Sequence, residues 1–474
     1  MRFRGSLTKG LLIALAISLI PAVAISAQKV TAGSKCKVFK QKVNYLDKTY
    51  TCIKSGKYLV WNKGAAVVKP TPLQTPISAP TSKSQSTSTK DISYTPPSVL
   101  SDNIELCKIK EVSKSRGMTG AGFPEWNSMT PRSGTVKWAL IPIDFPDLPG
   151  ETNFRQRVDG QMKLLSEWYA SVSGGKFKVE WELLDKWVTL PSATSEYAIP
   201  LSVNLNDAAN GAKLFKDAMN AADPIFDFTN IQTVNFILPK GQTFLTETSQ
   251  GFPWDSAVKE FKSKEGSISS YSIAGKFFDQ PGRTYWSYWA HEFGHAVGLP
   301  HIGSSRVAHP FQGEDIMGGQ DGPARELSGW LRFIAGWLSE QQVYCQEVSN
   351  LKSTDLTLVP LSSTQPGLKV AIVALSKSRA LVMESRRVTK FSCDTPTPRN
   401  GVLAYIYDAT LGHGENFLIP MSIPGRQLEQ TIGCITVPTS DRLLHESEKI
   451  TVEGVNIEVL IHGDYDKIRI SRTS

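Results

Sequence analysis

The sequence predicts an α/β (α+β) body followed by a β-sandwich-like C-terminal domain, with a small disulfide-stapled β module ahead of both. Three observations predict it. Cys36 and Cys52 bracket a lysine-rich stretch of alternating apolar residues; helix-period and strand-period segments alternate from Val136 to Pro239; beyond about Leu351 only short strand-length runs with turns remain. The chain has 474 residues, 41% hydrophobic and 20% charged, which allows more than one core and excludes collagen, coiled-coil and multi-span membrane classes. Its 11 Trp and 20 Phe exclude wholesale disorder, because their burial offsets much conformational entropy.

Residues 1–27 read as a signal peptide. Arg2, Arg4 and Lys9 precede an apolar run from Leu11 to Ile25, broken by Pro21, and Ala24 or Ala27 suits cleavage. That run is shorter than the ~20 residues a spanning helix needs, and no later segment is long enough. The mature chain is therefore expected to be secreted or extracellular, with no transmembrane span after signal cleavage. Residues 28–64 form the basic module, with Val43, Tyr45 and Tyr50 alternating as in a hairpin. Its lysines either hold it to a cell wall or other anionic surface or simply keep it soluble. Residues 65–100, with Pro70, Pro72, Pro76, Pro80, Pro96 and Pro97, read as an extended linker open to proteolysis. Removal of this arm is one expected route to activation.

Dividing the charge is informative. Of the net +8, residues 1–27 carry +3 and residues 28–100 carry +10, leaving −5 for residues 101–474. The basic pI belongs to the arm, and a mildly acidic body argues against nucleic acid as a partner.

The body spans residues 101–348. Val136–Ile143 reads as a buried strand, Phe154–Val172 as a helix stopped by Gly174–Gly175, and Lys176–Leu190 as strands. Ala208–Ala222 reads as a second helix and Thr233–Pro239 as another strand. Residues 349–474 form the β-rich domain, with strands at Val370–Leu375, Ala380–Glu384, Gly401–Tyr407 and Val455–Ile461. Six cysteines in an exported chain suit three disulfides. Proximity favours Cys36–Cys52 and Cys393–Cys434, which leaves Cys107–Cys345 to clamp the body; Cys107 has a second reading as a thiol ligand that keeps a precursor latent.

The chemistry lies in WAHEFGHAVGLPH, residues 289–301, where His291, Glu292, His295, Gly298 and His301 complete the pattern H-E-x-x-H-x-x-G-x-x-H. Residues four apart on a helix share a face, so His291 and His295 can bind one metal ion together. Glu292 follows the first ligand and can reach a water there without ligating. Gly298 lets the chain leave helical geometry and return, so that His301 becomes the third ligand. One catalytic Zn²⁺ is the expected cofactor. Asp144 and Asp147 are of the type that binds Ca²⁺, but acids after a strand ordinarily solvate a loop, and nothing supports a calcium site.

The body resembles secreted metallopeptidases of the immune inhibitor A type, within the metzincin-like zinc peptidases. LIPIDFPD (140–147), WYASVSGGKFKVE (168–180), HEFGHAVGLPH (291–301), DIMGG (315–319), LSGWLRFIAGWL (327–338), LVMESR (381–386) and GVLAYIYDA (401–409) carry the resemblance. It implies a methionine turn at Met317, beneath the metal, and polypeptides outside the cell as substrates. Many relatives place Asp at the third ligand position, where this chain has His301. Two residues after Met317 stands Gly319, where some metzincins carry a tyrosine that assists the oxyanion.

The expected function is zinc-dependent endopeptidase action on extracellular proteins, with Glu292 as general base to a metal-activated water. Two other readings stand beside it: a zinc hydrolase acting on cell-wall peptides, and a non-catalytic adhesion protein with a vestigial zinc site. His309, His413, His445 and His462 are dispersed and read as surface or core residues, and Trp286, Trp289, Phe293 and Val297 as the core stripe of the motif helix.

Overall fold

The computed structural model describes residues 31–36, 42–45, 48–63, 65–66, 94–96, 101–114, 119–125, 128–198, 209–245, 249–251, 262–273, 284–303, 309, 311–393, 399–426, 428–429, 439–440 and 442–473. The signal segment, the linker apart from residues 65–66 and 94–96, and Cys434 lie outside the described residues. The chain divides into two compact units, Met1–Gln85 and Ser86–Ser474.

In the first unit, β1 (Lys42–Tyr45), β2 (Lys48–Ser55), β3 (Tyr58–Trp61) and β4 (Ala65–Ala66) form a small antiparallel sheet in which β2 pairs with each of the others. Gly56 takes φ 60° at the β2–β3 turn. Tyr50, Cys52 and Trp61 are its buried centre. So small a core needs a covalent staple, which the Cys36–Cys52 disulfide supplies.

The second unit opens with β5 (Gly134–Asp144), α1 (Phe154–Val172), β6 (Phe177–Leu183), β7 (Val188–Thr189), α2 (Ala209–Ala222), β8 (Ile231–Ile237), β9 (Ser249–Gly251) and β10 (Ser270–Ile273). The strands form one sheet in the order β6-β5-β8-β10-β9, with β7 also on β5. All pair in parallel except the antiparallel edge strand β9. Alternation along β5 divides two cores: Val136, Trp138 and Leu140 join the cluster of α1, whereas Ala139, Ile141 and Ile143 join that of α2. A strand covered on both faces must be apolar at consecutive positions, which explains the unbroken run WALIPI.

Helix α3 (Tyr285–Ala296) carries the histidine motif and lies on the α1 side of the sheet. Trp138 and Phe293 meet edge to face at 4.7 Å, and the Tyr169 hydroxyl donates to the Ala290 carbonyl at 2.7 Å. Every residue of α3 except Glu292 is buried, so the expected apolar stripe through Trp286, Trp289 and Phe293 is part of a fully enclosed helix.

The chain continues through α4 (Gly329–Ile334), β11 (Val343–Glu347), β12 (Thr354–Leu358), β13 (Val370–Ser376), β14 (Arg379–Arg386), β15 (Gly401–Asp408) and β16 (Leu418–Pro420). It ends its described strands with β17 (Leu428–Glu429), β18 (Thr439–Ser440), β19 (Leu443–Leu444), β20 (Lys449–Val452), β21 (Val455–His462) and β22 (Asp466–Arg472). One sheet runs β11-β13-β14-β15-β16 with β19 on β15, another runs β12-β22-β21-β20, and β17 pairs β18. The first of these is covered on both faces. Val370, Ile372, Val382, Leu403 and Tyr405 point into the α1–α3 core, while Ala371, Val373, Leu381, Met383 and Ala404 pack against Leu356, Val459, Ile468 and Ile470 of the second sheet.

The β-rich tail is thus a sandwich whose inner sheet is also a wall of the α/β body. Overall the fold is mixed α/β, with several sheets and few helices. Cys107–Cys345 ties the segment before β5 to β11, so Cys107 is no free thiol ligand. Cys393 is also disulfide-bonded. No helix among the described residues is long and apolar enough to cross a membrane.

Candidate metal centre

The end of α3 shapes the site. Gly298 sits at φ 91°, its N–H donating to the His295 carbonyl at 2.9 Å, and the Leu299 N–H donates to the Gly294 carbonyl at 2.8 Å. This double bond pattern with a left-handed residue is a Schellman motif, and it reverses the chain toward His301. A Cβ at Gly298 would lie 2.5 Å from Arg132, whose Nε donates to the Val297 carbonyl at 2.8 Å and caps the helix with positive charge.

The turn brings His291, His295 and His301 together. Each offers a ring nitrogen, and these three atoms lie within 4.8 Å of one another. His291 Nδ1–H donates to the Ile316 carbonyl at 2.7 Å and His295 Nδ1–H to the Leu299 carbonyl at 2.8 Å. Those bonds fix the tautomer and leave each Nε2 with its lone pair for a ligand. The His295 Nε2 is buried without a hydrogen-bond partner among the described residues, a cost that a bound cation would remove. Burial pushes the His291 imidazole down to about 4; burial and neighbouring imidazoles hold His295 and His301 well below the usual histidine range. Neutral imidazole is the ligating form. The donor set therefore fits a divalent metal ion of the kind that imidazole favours.

Glu292 follows His291 in the chain and is the half-buried member of α3. Burial pushes its carboxyl up to about 8, and the Tyr288 hydroxyl one turn earlier pulls the other way.

Met317 lies directly under the helix. A Cβ on Gly294 would come 2.6 Å from the Met317 sulfur, so a larger residue between the two histidines would displace the methionine side chain. The methionine turn is held by Asp315, whose carboxylate accepts the N–H of Met317 at 2.8 Å and that of Ser328, the N-cap of α4, at 2.6 Å. Burial pushes the Asp315 carboxyl up to about 6. Met317 in turn accepts the Ile302 N–H at 3.1 Å, which couples the turn to the chain just after His301.

Sequence reading missed four residues here: Gly294, Asp315, Thr119 and His413. His413, read from sequence as a surface or core residue, stands outside the three-histidine group, with its ring 5.4 Å from that of His301 and 5.8 Å from that of His295. His309 is also near, bonded through Nε2 to the Gly318 carbonyl at 2.8 Å. Asp144 and Asp147 are occupied as loop acceptors, from Gly150 at 2.9 Å and from Thr194 at 2.9 Å respectively.

No protein-family model matches the sequence. No curated protein matches it either. Among solved structures, wild-type OgpA from Akkermansia muciniphila is 12% identical over 76% of this chain and 100% of its own, at a TM-score of 0.28. A second crystal form of that protein is 11% identical over 74% of this chain and 97% of its own, again at 0.28. Catalytically inactive OgpA in complex with an O-glycopeptide (glycodrosocin) substrate is 11% identical over 75% and 96%, at 0.28. Likeness at this level carries no argument from OgpA to this chain, whose site stands on its own residues.

Proposed function

We propose that the chain is a secreted zinc-dependent endopeptidase acting on extracellular polypeptides, a metzincin-like peptidase of the immune inhibitor A type. One observation carries the reading: three neutral imidazoles converge, and Glu292, next to the first of them in the chain, is the one side chain of α3 that is not sealed into the core. Zn²⁺ held there supplies a Lewis acid that polarises a carbonyl and acidifies water. His291 and His295 hold their rings in place through Nδ1, and His301 completes the donor set from the turn. The Glu292 carboxylate takes the proton of the attacking water and delivers it to the leaving amide nitrogen. Met317 and Asp315 keep the floor of the site fixed. The disulfides at Cys36–Cys52 and Cys107–Cys345 fit export to an oxidising compartment.

The test is casein hydrolysis by the full-length exported protein beside Glu292→Ala, with metal content measured in both. Wild type should cut casein, and the variant should hold the metal while losing turnover by at least about a hundredfold. A variant with wild-type activity would remove Glu292 from its role, and an inert wild type carrying full metal would count against the peptidase reading.

A further inference from the structure

We infer that His413 is a catalytic residue of this site, an N–H donor to the oxygen of the scissile carbonyl as charge builds on it. The inference rests on the peptidase reading and adds to it a residue 112 positions beyond the motif. His413 lies in the loop between β15 and β16, and that loop is bonded to the third-ligand turn on both sides of one residue. The His301 N–H donates to His413 Nδ1 at 3.3 Å, and the Gly414 N–H donates to the His301 carbonyl at 3.0 Å. The Gly303 N–H adds a bond to the Glu415 carbonyl at 2.9 Å, and the Glu415 carboxylate accepts the Gly412 N–H at 2.8 Å. The Thr119 hydroxyl lies 2.8 Å from the same Nδ1.

A backbone N–H can only donate, so Nδ1 of His413 carries the lone pair and the proton of the neutral ring sits on Nε2. That Nε2–H has no hydrogen-bond partner among the described residues, and the ring keeps an accessible edge. His413 stands beside the three-imidazole cluster without belonging to it. Its ring lies 5.4 Å from that of His301 and 5.8 Å from that of His295, close enough to serve a carbonyl bound at the cluster, and the methionine turn itself offers only Gly318 and Gly319. The chemistry balances without covalent change at His413. Water oxygen bonds to the carbonyl carbon, its proton passes through Glu292 to nitrogen, the C–N bond breaks, and His413 donates one hydrogen bond throughout.

The test compares wild type with His413→Asn and His413→Gln, as full-length protein loaded with Co²⁺ for its visible spectrum. The Asn carbonyl can replace Nδ1 as acceptor but supplies no donor at the Nε2 position; the Gln amide supplies one. Acetohydroxamate is titrated as the oxygen-bearing probe, Co²⁺ affinity is read by chelator competition, and casein turnover is measured separately. Acetohydroxamate should bind about tenfold more weakly to His413→Asn and recover in His413→Gln, with Co²⁺ affinity level across all three. Casein kcat should fall by about a hundredfold in the Asn variant with KM little changed. Unchanged acetohydroxamate binding in His413→Asn overturns the assignment. A tenfold loss of Co²⁺ affinity also overturns it, by making His413 part of the ligand set. If acetohydroxamate behaves as expected while casein stays uncut by wild type, the donor role stands and the peptidase reading fails.

Discussion

Gly298 shows how much one residue can decide. Its φ of 91° strains any other residue, and a Cβ there would lie 2.5 Å from the Arg132 guanidinium, which would have to shift. Gly298→Ala should cost about 1–3 kcal/mol in urea unfolding and weaken metal retention, because His301 is presented by the turn that this residue makes. Loss of stability with unaltered metal affinity would show that the turn does not position His301. The local pattern from His291 to His301 was legible in the sequence because helix period and turn chemistry act over a few residues. His413 was not: its neighbour His301 is 112 residues away, and only the sheet β13–β14–β15 brings them together. Asp315 was hidden for a related reason, since an acid before a methionine reveals nothing until Ser328 closes on its other oxygen.

At the scale of elements, α1 and β5 could be read from the sequence because each has a long apolar period that matches its geometry. β10 (SYSI) and α4 could not, being four and six residues long, too short for a period to register. The junction of α4 and β13 holds a titratable group of interest. Lys369 is buried, its Nζ donating to the carbonyls of Pro360 at 2.8 Å and Ser363 at 2.6 Å, and burial with Arg332 nearby lowers its ammonium to about 7. The unfolded chain, at an ordinary value of 10.5, binds the proton more tightly between those limits. Stability should therefore rise as pH goes from 7 toward 10.5 through this group. Lys369→Met should flatten that rise in unfolding free energies measured at pH 7 and 9; an identical slope in wild type and variant would show that the lysine stays charged when folded.

The whole molecule carries a different lesson. The sequence marked a change of texture near Leu351, and the sandwich is there, yet its inner sheet also lines the core that seats α3. Texture reports the local period, whereas sharing a sheet between two cores leaves no local signature. A chain cut after residue 348 should fail to fold, because Val370, Ile372, Val382, Leu403 and Tyr405 would be missing from that core. A chain begun at Ser86 should melt as a cooperative unit on its own. Circular dichroism melts of the two truncations test both statements, and a cooperative melt from residues 86–348 would contradict the shared core.

The bond between His301 and the His413 loop also has a meaning in time. A ribosome adding about 5–20 residues per second needs roughly 6–22 s to travel the 112 residues between them. During that interval the histidine motif exists without the His413 loop, and the core around α3 still lacks Val370, Ile372, Val382 and Leu403. The candidate site therefore gains its His413 side only after the β15–β16 loop has been made, so the order of synthesis separates the motif helix from the loop bonded to it.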